Sequence, residues 1–460
     1  MSQASSAPTE TIQRVAFEQP PSSGDTLPEP HRIEDPSPNV PFAGSKELSV
    51  EAVVAQVLAR NPSLAQMTAA WKAAQARYPQ VTSLDDPLFG GTVAPASLGD
   101  NANGNTSGYR FEVFQRYPFP GKRRLRGEKA LAEAHAVGRD VENTRVQLVE
   151  SAREAFYDYY LASRALEINE EGLKLLREFR QDAETRYKTG RGPQQDVTQA
   201  GVEIGRQRQR LLTLQRMRQV AVARINTLMH LPPASPLPPP PKELAVPREL
   251  PEAQQMLATA LNQRLDLLAL KDRIVAAEAA VKLAQREYYP DFDAMAAYDN
   301  FWTQGTLRPQ IALRINLPVR QARRDAALAE AKARLAELHA EYDRQTDVVG
   351  YEVQQVYEQL RESYETVRLF EGDVLPAARA NLESAQAAYT VGKGPLSSLI
   401  AAERDVVNLR DQYYEALTEL FRRRTVLERS LSGSPPAAPI PTPPRQPGPG
   451  QPGYPTSLGP

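Results

Sequence analysis

The chain has 460 residues, which is enough for two or three domains of ordinary size. Its 55 basic and 56 acidic residues give a formal net charge of −1, so the composition argues against a nucleic-acid partner. The sequence contains no cysteine, which excludes disulfides, thiolate metal sites, thiol nucleophiles and a cysteine-linked lipid.

The first segment, residues 1–45, is rich in Pro, Ser and Glu and is predicted to be disordered. It lacks the basic and apolar regions of a signal peptide, so the sequence predicts none. Residues 433–460 form a Pro-rich tail with the same prediction of disorder. No run of 18 apolar residues occurs, so no transmembrane helix is predicted.

Residues 46–230 and 251–432 have the same order of predicted elements, and a Pro-rich linker at 231–250 separates them. Each part predicts a helix, a β-hairpin, a very long helix, a turn and a returning helix. The shared order indicates a tandem duplication rather than a short solenoid repeat. The linker is predicted to be extended and exposed.

The opening helices of the two repeats are predicted at Val50–Ala76 and Pro251–Glu287, and the hairpins at 87–117 and 292–317. Apolar and polar residues alternate in "YRFEVFQRYPF" and in "PQIALRINLPV", which predicts strands with one apolar and one polar face. Their length also suits membrane-spanning strands. Four strands cannot close a barrel, so a membrane interpretation requires an oligomer, and three chains would supply twelve strands. Two small hairpins packed on helix ends are the soluble alternative.

The long helix of the first repeat carries a heptad pattern of apolar residues over about five heptads. Arg145 and Asn169 occupy its two polar gaps. From Gly127 to Thr189 the pattern predicts roughly 60 helical residues, or about 90 Å. A coiled coil with a purely structural role would explain this pattern as well. The apolar members are Val141, Leu148, Ala152, Ala155, Tyr159, Ala162, Leu166, Leu173 and Leu176.

Each long helix ends in the motif Tyr-x-x-Gly-basic-Gly-Pro, which contains the poorest helix formers. Glycine allows the backbone conformation of a turn, and proline is tolerated where the next helix begins. The motif therefore predicts a helix stop followed by a helix start, and a plain turn between helices explains its residue types. Its members are Tyr187, Gly190, Gly192 and Pro193 in the first repeat and Tyr389, Gly392, Gly394 and Pro395 in the second.

The sequence shows no catalytic pattern: there is no Ser-His-Asp candidate, P-loop or HExxH motif, and the four histidines are scattered. We therefore predict no enzymatic activity, no cofactor and no metal site in this chain.

Four stretches together carry a family resemblance. The order and duplication of the elements, and these stretches, resemble the TolC-like outer membrane efflux factors over about residues 46–432. The similarity favours the CzcC-type metal-efflux branch of that family. The stretches are "NPSLAQMTAAWKAAQA" (61–76), "LDDP" (84–87), "FPGKRRLR" (119–126) and "RLDLLALKDRIVAAEAAVKLAQREYYPDF" (264–292).

The resemblance implies a mainly helical homotrimer, with a trimeric α-barrel crossing the periplasm and a twelve-stranded β-barrel in outer membrane lipid. It implies a passive duct that exports metal cations or small toxic compounds. An inner-membrane pump would supply the energy, and a periplasmic adaptor (membrane fusion) protein would bridge the two. The chain departs from the family in showing neither a signal peptide nor a lipidation cysteine.

The resemblance also implies roles for the turns, which would form the periplasmic mouth and contact the adaptor. Asp196 matches the position of an acidic ring that constricts the pore in family members, whereas the second repeat has Ser398 there. Asp196 is equally explained as a first-turn carboxylate favoured by the helix dipole.

Four charged residues of the predicted strands, Arg110, Glu112, Arg116 and Arg314, are candidates for lining the barrel lumen. They could equally be charges that reach the membrane interface. Two other classes of protein compete with an efflux channel, namely a periplasmic adaptor and a soluble coiled-coil scaffold. The alternating strands argue against the scaffold, and the lack of a lipoyl-like strand pattern argues against the adaptor.

Overall fold

The computed structural model describes residues 42, 44–94, 108–246, 252–302 and 304–431. The predictions of disorder at the two chain ends therefore lie almost entirely outside the described residues, as does most of the first hairpin loop. The described residues from Ser45 onward belong to one compact unit.

The fold is mainly helical with a small antiparallel sheet, as the sequence predicted. The two repeats have corresponding elements in the same order, except that the long helix of the second repeat is divided. The first repeat comprises α1 (Val50–Arg60), α2 (Pro62–Thr82), β1 (Leu88–Val93), β2 (Tyr109–Tyr117), α3 (Lys122–Lys188) and α4 (Gln194–Leu228). The second comprises α5 (Ala253–Gln263), α6 (Leu265–Arg286), β3 (Phe292–Asp299), β4 (Pro309–Ile315), α7 (Gln321–Leu369), α8 (Leu375–Thr390) and α9 (Leu396–Ser430). A π-helical segment, Phe370–Val374, joins α7 to α8.

The opening helix of each repeat is broken in two, so the prediction of one continuous helix at Val50–Ala76 and one at Pro251–Glu287 was wrong. Asn61 is extended, its side chain accepts the Ser63 N–H at 3.0 Å, and Pro62 starts α2. This is the usual chemistry of a helix start, in which an Asn side chain caps and proline occupies the first position. Arg264 interrupts the second repeat at the same place, again with an extended backbone.

The long helix α3 has 67 residues, which corresponds to about 100 Å at 1.5 Å per residue. Every apolar member of the predicted heptad pattern is buried except Leu166, which is half-buried. The pattern works because α3 packs against α2 and α6 over one part of its length and against α4 and α9 over another. The helix is thus the central rod of the chain.

The Pro-rich linker is less exposed than predicted over its described part, residues 231–246. It has no helix or strand, but Pro240 is buried and the Pro239 carbonyl accepts the Leu48 N–H at 2.9 Å. The buried Tyr159 hydroxyl donates to the Pro238 carbonyl at 3.0 Å. A buried hydroxyl needs an acceptor, and this bond holds the linker against α3.

The sheet has the order β1-β2-β3-β4 with every neighbouring pair antiparallel. Within the sheet, the two repeats meet in the pairing of β2 with β3, in which Arg116 lies opposite Asp293. Strands β1 and β4 are the edges, and neither has a further strand partner among the described residues. Among the helices that the structure describes, none combines the length and the apolar character needed to cross a bilayer.

Candidate functional site

The two turns at the ends of the long helices have the same backbone structure. Gly190 and Gly392 adopt left-handed conformations, with φ of 71° and 76°. Their N–H groups donate to the carbonyls of Tyr187 and Tyr389, both at 3.0 Å. We call residues 186–193 the first turn and residues 388–395 the second turn. Glycine is favoured at this position because other L-residues are strained at positive φ.

The second glycine of each turn is favoured for a different reason, which is close packing. A Cβ atom on Gly192 would lie 3.2 Å from the Cβ of Arg186, and one on Gly394 would lie 3.1 Å from the Cβ of Ala388. Pro193 and Pro395 follow with extended backbones, and each stands directly before the next helix. In each turn, the first glycine thus ends one helix, the second allows close packing, and the proline stands before the next helix.

The structure brings the two turns together through Arg186, a residue that the sequence did not single out. Its Nη2 donates to the Thr390 carbonyl at 3.2 Å, and its guanidinium carbon lies 4.4 Å from the centre of the Tyr389 ring. Ala388 occupies the equivalent place in the second turn, so no reciprocal contact can form. The Arg186 side chain of the first turn therefore contacts the second turn, and no equivalent side chain of the second turn contacts the first.

The two tyrosines of the motif differ in environment although their local sequences match. Tyr389 is 6% exposed, whereas Tyr187 is 46% exposed. Tyr389 packs in a cluster with Ala183, Ala200 and Leu396, which belong to α3, α4 and α9. Burial raises the pKa of the Tyr389 hydroxyl, and the nearby Arg186 charge opposes that rise. Tyr187 remains available on the surface of the first turn.

Asp196 and Ser398, the candidate gate residues, lie in the first turns of α4 and α9. The Asp196 N–H donates to the Pro193 carbonyl at 3.3 Å, and the Ser398 N–H donates to the Pro395 carbonyl at 3.2 Å. Asp196 is half-buried and Ser398 is exposed. The Asp196 carboxylate has no ion pair within the part of the chain that the structure describes.

A polar layer interrupts the apolar packing between α3, α4 and α9. Asn169 is buried, its Nδ2 donates to the Asp411 carboxylate at 3.0 Å, and its Oδ1 accepts from Gln207 at 2.8 Å. Glu403, two turns before Asp411 on α9, is only 4% exposed. Burial raises the pKa of Glu403 to about 7, against the opposing charge of Arg410. The sequence indicated Asn169 only as a gap in the heptads.

The four lumen candidates share one face of the sheet, because they fall on alternate positions of paired strands. Arg110 pairs with Glu112 at 3.0 Å, and Arg116 pairs with Asp293 at 3.2 Å. Arg314 contacts the Met295 sulfur at 3.7 Å. Within the described residues, no group of three or more His, Asp or Glu side chains is arranged to hold a metal ion.

The comparison with protein families decides the identity of this architecture. The model of the family described as outer membrane efflux protein matches residues 53–229 and 256–433. The chain belongs to the outer membrane efflux protein family. The TolC-like resemblance is therefore confirmed, whereas its CzcC-type branch stays a prediction.

Solved structures agree with the family on the fold. The outer-membrane channel OprN is 21% identical, with a TM-score of 0.70 over 86% of this chain and 94% of OprN. VceC of Vibrio cholerae is 21% identical, with a TM-score of 0.71 over 84% of this chain and 96% of VceC. CusC is 18% identical, with a TM-score of 0.70 over 84% of this chain and 93% of CusC. A search of curated proteins gave no significant match.

Proposed function

We propose that the chain is the outer membrane channel of a tripartite efflux system and works as a homotrimeric, passive duct. The observation that carries this proposal is the four-stranded sheet, which has two open edges and an exposed apolar face, in a chain of this family. A sheet in lipid must close because unpaired backbone groups are costly there. Three copies side by side would close it with twelve strands.

The two faces of the sheet suit lipid on one side and water on the other. Phe89, Val113, Ile311 and Leu313 share the apolar face, and Ile311 is 94% exposed. Burial of such side chains in lipid is favourable at about 25 cal/mol per Å². The opposite face would line the lumen with Arg110, Glu112, Arg116 and Arg314.

The two turns would form the periplasmic mouth of the duct. Arg186 holds the first turn to the second, so breaking its contacts with Tyr389 and Thr390 would let the helical hairpins separate. Exposed Tyr187 and the surfaces of both turns would receive the adaptor. Asp196 would point three carboxylates toward the axis of the trimer, one from each chain, and favour cations.

The exported compounds would be metal cations, because residues 264–292 resemble the CzcC-type branch. The duct itself need not bind the cation, since a pump in the inner membrane would select it and drive its export. Small toxic organic compounds are the alternative cargo. The two cargoes can be distinguished with a strain that lacks the protein. Such a strain should become sensitive to divalent metals if the cargo is a metal cation, and to lipophilic antibiotics if it is an organic compound.

Fractionation of cells that express the full chain tests the proposed function. We expect the protein in the outer membrane fraction, as a trimer that survives mild detergent and separates into monomers on heating. The purified trimer should conduct ions in planar bilayers. A protein found only in the cytosol as a monomer would contradict the proposal.

A further inference from the structure

The pairing of β2 with β3 joins the two repeats within one chain, and it includes a charge pair. Arg116 and Asp293 lie directly opposite each other, and the Nε of Arg116 is 3.2 Å from the Oδ1 of Asp293. Opposite charges on directly opposed positions stabilise an antiparallel pair and favour one register.

The duplication places a second copy of this charge pair on the open edges of the sheet. Arg116 precedes Pro120 by four residues, and Arg314 of β4 precedes Pro318 by the same interval. Arg314 therefore corresponds to Arg116.

The strand before each arginine can be aligned in the same way. In the two hairpins, Leu88 pairs with Phe114 and Met295 pairs with Ala312. Since Phe114 and Ala312 are equivalent by this alignment, Leu88 is equivalent to Met295.

Asp86 therefore corresponds to Asp293, because Asp86 stands two residues before Leu88 and Asp293 stands two residues before Met295. Both members of the second copy, Asp86 and Arg314, are exposed. Neither has an ion pair with any of the described residues. Arg314 lies opposite Asp293 within its own chain, and its guanidinium contacts the Met295 sulfur at 3.7 Å. They lie on opposite edges of one sheet, so they cannot meet within the chain.

We propose that Arg314 of one chain pairs with Asp86 of the neighbouring copy, in a register that repeats the pairing of β2 with β3. The inference rests on the proposed trimer and specifies which residues meet where two chains join. The same register places Ile311 opposite Phe89 of the neighbouring copy, as Val113 lies opposite Ala296 within the chain.

The exposed apolar side chains on the two edge strands support this register. Ile311 and Phe89 are 94% and 72% exposed in the single chain, and the register covers each with the other on the apolar face. Pro87 would lie opposite Leu313. Pro87 lacks the N–H that would donate to the Leu313 carbonyl, but it stands directly before β1 (Leu88–Val93), and proline is tolerated where a strand begins.

The chain has no native cysteine, so paired cysteines test the register directly. In Asp86→Cys/Arg314→Cys, directly opposed positions bring the Cα atoms to about 4.5–5.5 Å, within reach of a disulfide. Mild oxidation of the trimer in outer membranes should give covalent dimers and trimers on denaturing gels. The variant Arg116→Cys/Asp293→Cys should form its bridge within one chain and serves as the positive control.

The matched control is Asp86→Cys/Gln310→Cys, which keeps the same face but shifts one cysteine by four residues, about 13 Å along β4. It should remain uncrosslinked, as should each single-cysteine variant. A heat-modifiable trimer that gives no covalent species with Asp86→Cys/Arg314→Cys, or gives them equally with the control, overturns the register and leaves the trimer standing. Absence of trimers from the unmodified protein overturns both proposals.

Exchange of the charges provides a second measurement. Asp86→Arg should lower the temperature at which trimers separate, because two arginines would face each other between chains. Adding Arg314→Asp should restore it. A double variant no better than Asp86→Arg alone would contradict the pairing.

Discussion

Gly190 and Gly392 show how single residues set the geometry of the turns. Replacing both by Val puts a β-branched side chain into a left-handed conformation, at a cost of about 1–2 kcal/mol at each site. We expect the double variant to form trimers but to lose efflux, because the turns would no longer engage the adaptor or open.

Gly205→Val is the control for this variant, since Gly205 lies within α4 and a Cβ there would meet no atom within 4 Å. Complementation of a strain that lacks the protein, beside trimer content on gels, is the measurement. Efflux that is unchanged in the double variant would remove the functional role of the turns.

Arg186 is the residue whose loss should open the proposed periplasmic mouth. Arg186→Ala removes a cation–π contact and one hydrogen bond, together worth about 1 kcal/mol at a partly exposed site, or roughly a fivefold shift toward the open state. Conductance of single trimers in planar bilayers should rise accordingly.

Arg191→Ala is the matched control for Arg186→Ala, because Arg191 belongs to the same turn and its side chain is exposed. It should leave the conductance unchanged. Equal conductance of the Arg186→Ala and unmodified trimers would show that these contacts do not restrain the mouth.

The turn glycines could be identified from the sequence, because positive φ and close packing restrict the residue type locally. Arg186 could not, since its partners Tyr389 and Thr390 lie in the other repeat and become neighbours only when the helices pack. The same limit applies to Tyr187 and Tyr389, whose local motifs agree while their exposure differs. Local sequence determines the turn, and distant packing determines what touches it.

Within the helices, Glu403 makes the stability of the α3, α4 and α9 packing depend on pH. Its pKa rises from the usual 4.5 to about 7 because it is buried. The folded chain therefore holds this proton more tightly than the unfolded chain. The resulting stabilisation is complete below about pH 4.5 and is lost as the pH rises through 7, by about 3 kcal/mol in all.

Glu403→Gln keeps this side chain neutral at every pH, so its melting temperature should exceed that of the unmodified protein at pH 8. The fall in melting temperature between pH 5 and 7 should become shallower. Glu178→Gln, on an exposed position of α3, is the control and should keep the original pH dependence. Identical profiles for Glu403→Gln and the unmodified protein would refute the role of Glu403.

Element lengths and order followed from the sequence to different degrees. The heptad pattern predicted α3 correctly, and the apolar residues of that pattern are buried along nearly its whole length. The break at Asn61 carried a recognisable signal, an Asn before a proline, yet the apolar pattern of the flanking helices concealed it. The break at Arg264 has no Gly or Pro, so only the packed structure reveals it.

For the whole molecule, the count of four strands predicted that a membrane sheet would need several chains, with two small soluble hairpins as the alternative. The register between chains could not be predicted from the strand pattern alone, because alternation fixes the faces of a strand but not its lateral alignment. The observed pairing of Arg116 with Asp293 is the template for the register proposed between chains.

The two open strand edges also bear on the lifetime of a newly made chain. A lone chain would leave backbone groups of β1 and β4 unpaired and an apolar face in contact with water, which favours aggregation and proteolysis. In the proposed trimer, completion of the sheet needs three chains, so its rate should rise steeply with their local concentration. Slow synthesis would then lengthen the exposed stage, and the yield of finished channels would be decided by the race between assembly and degradation.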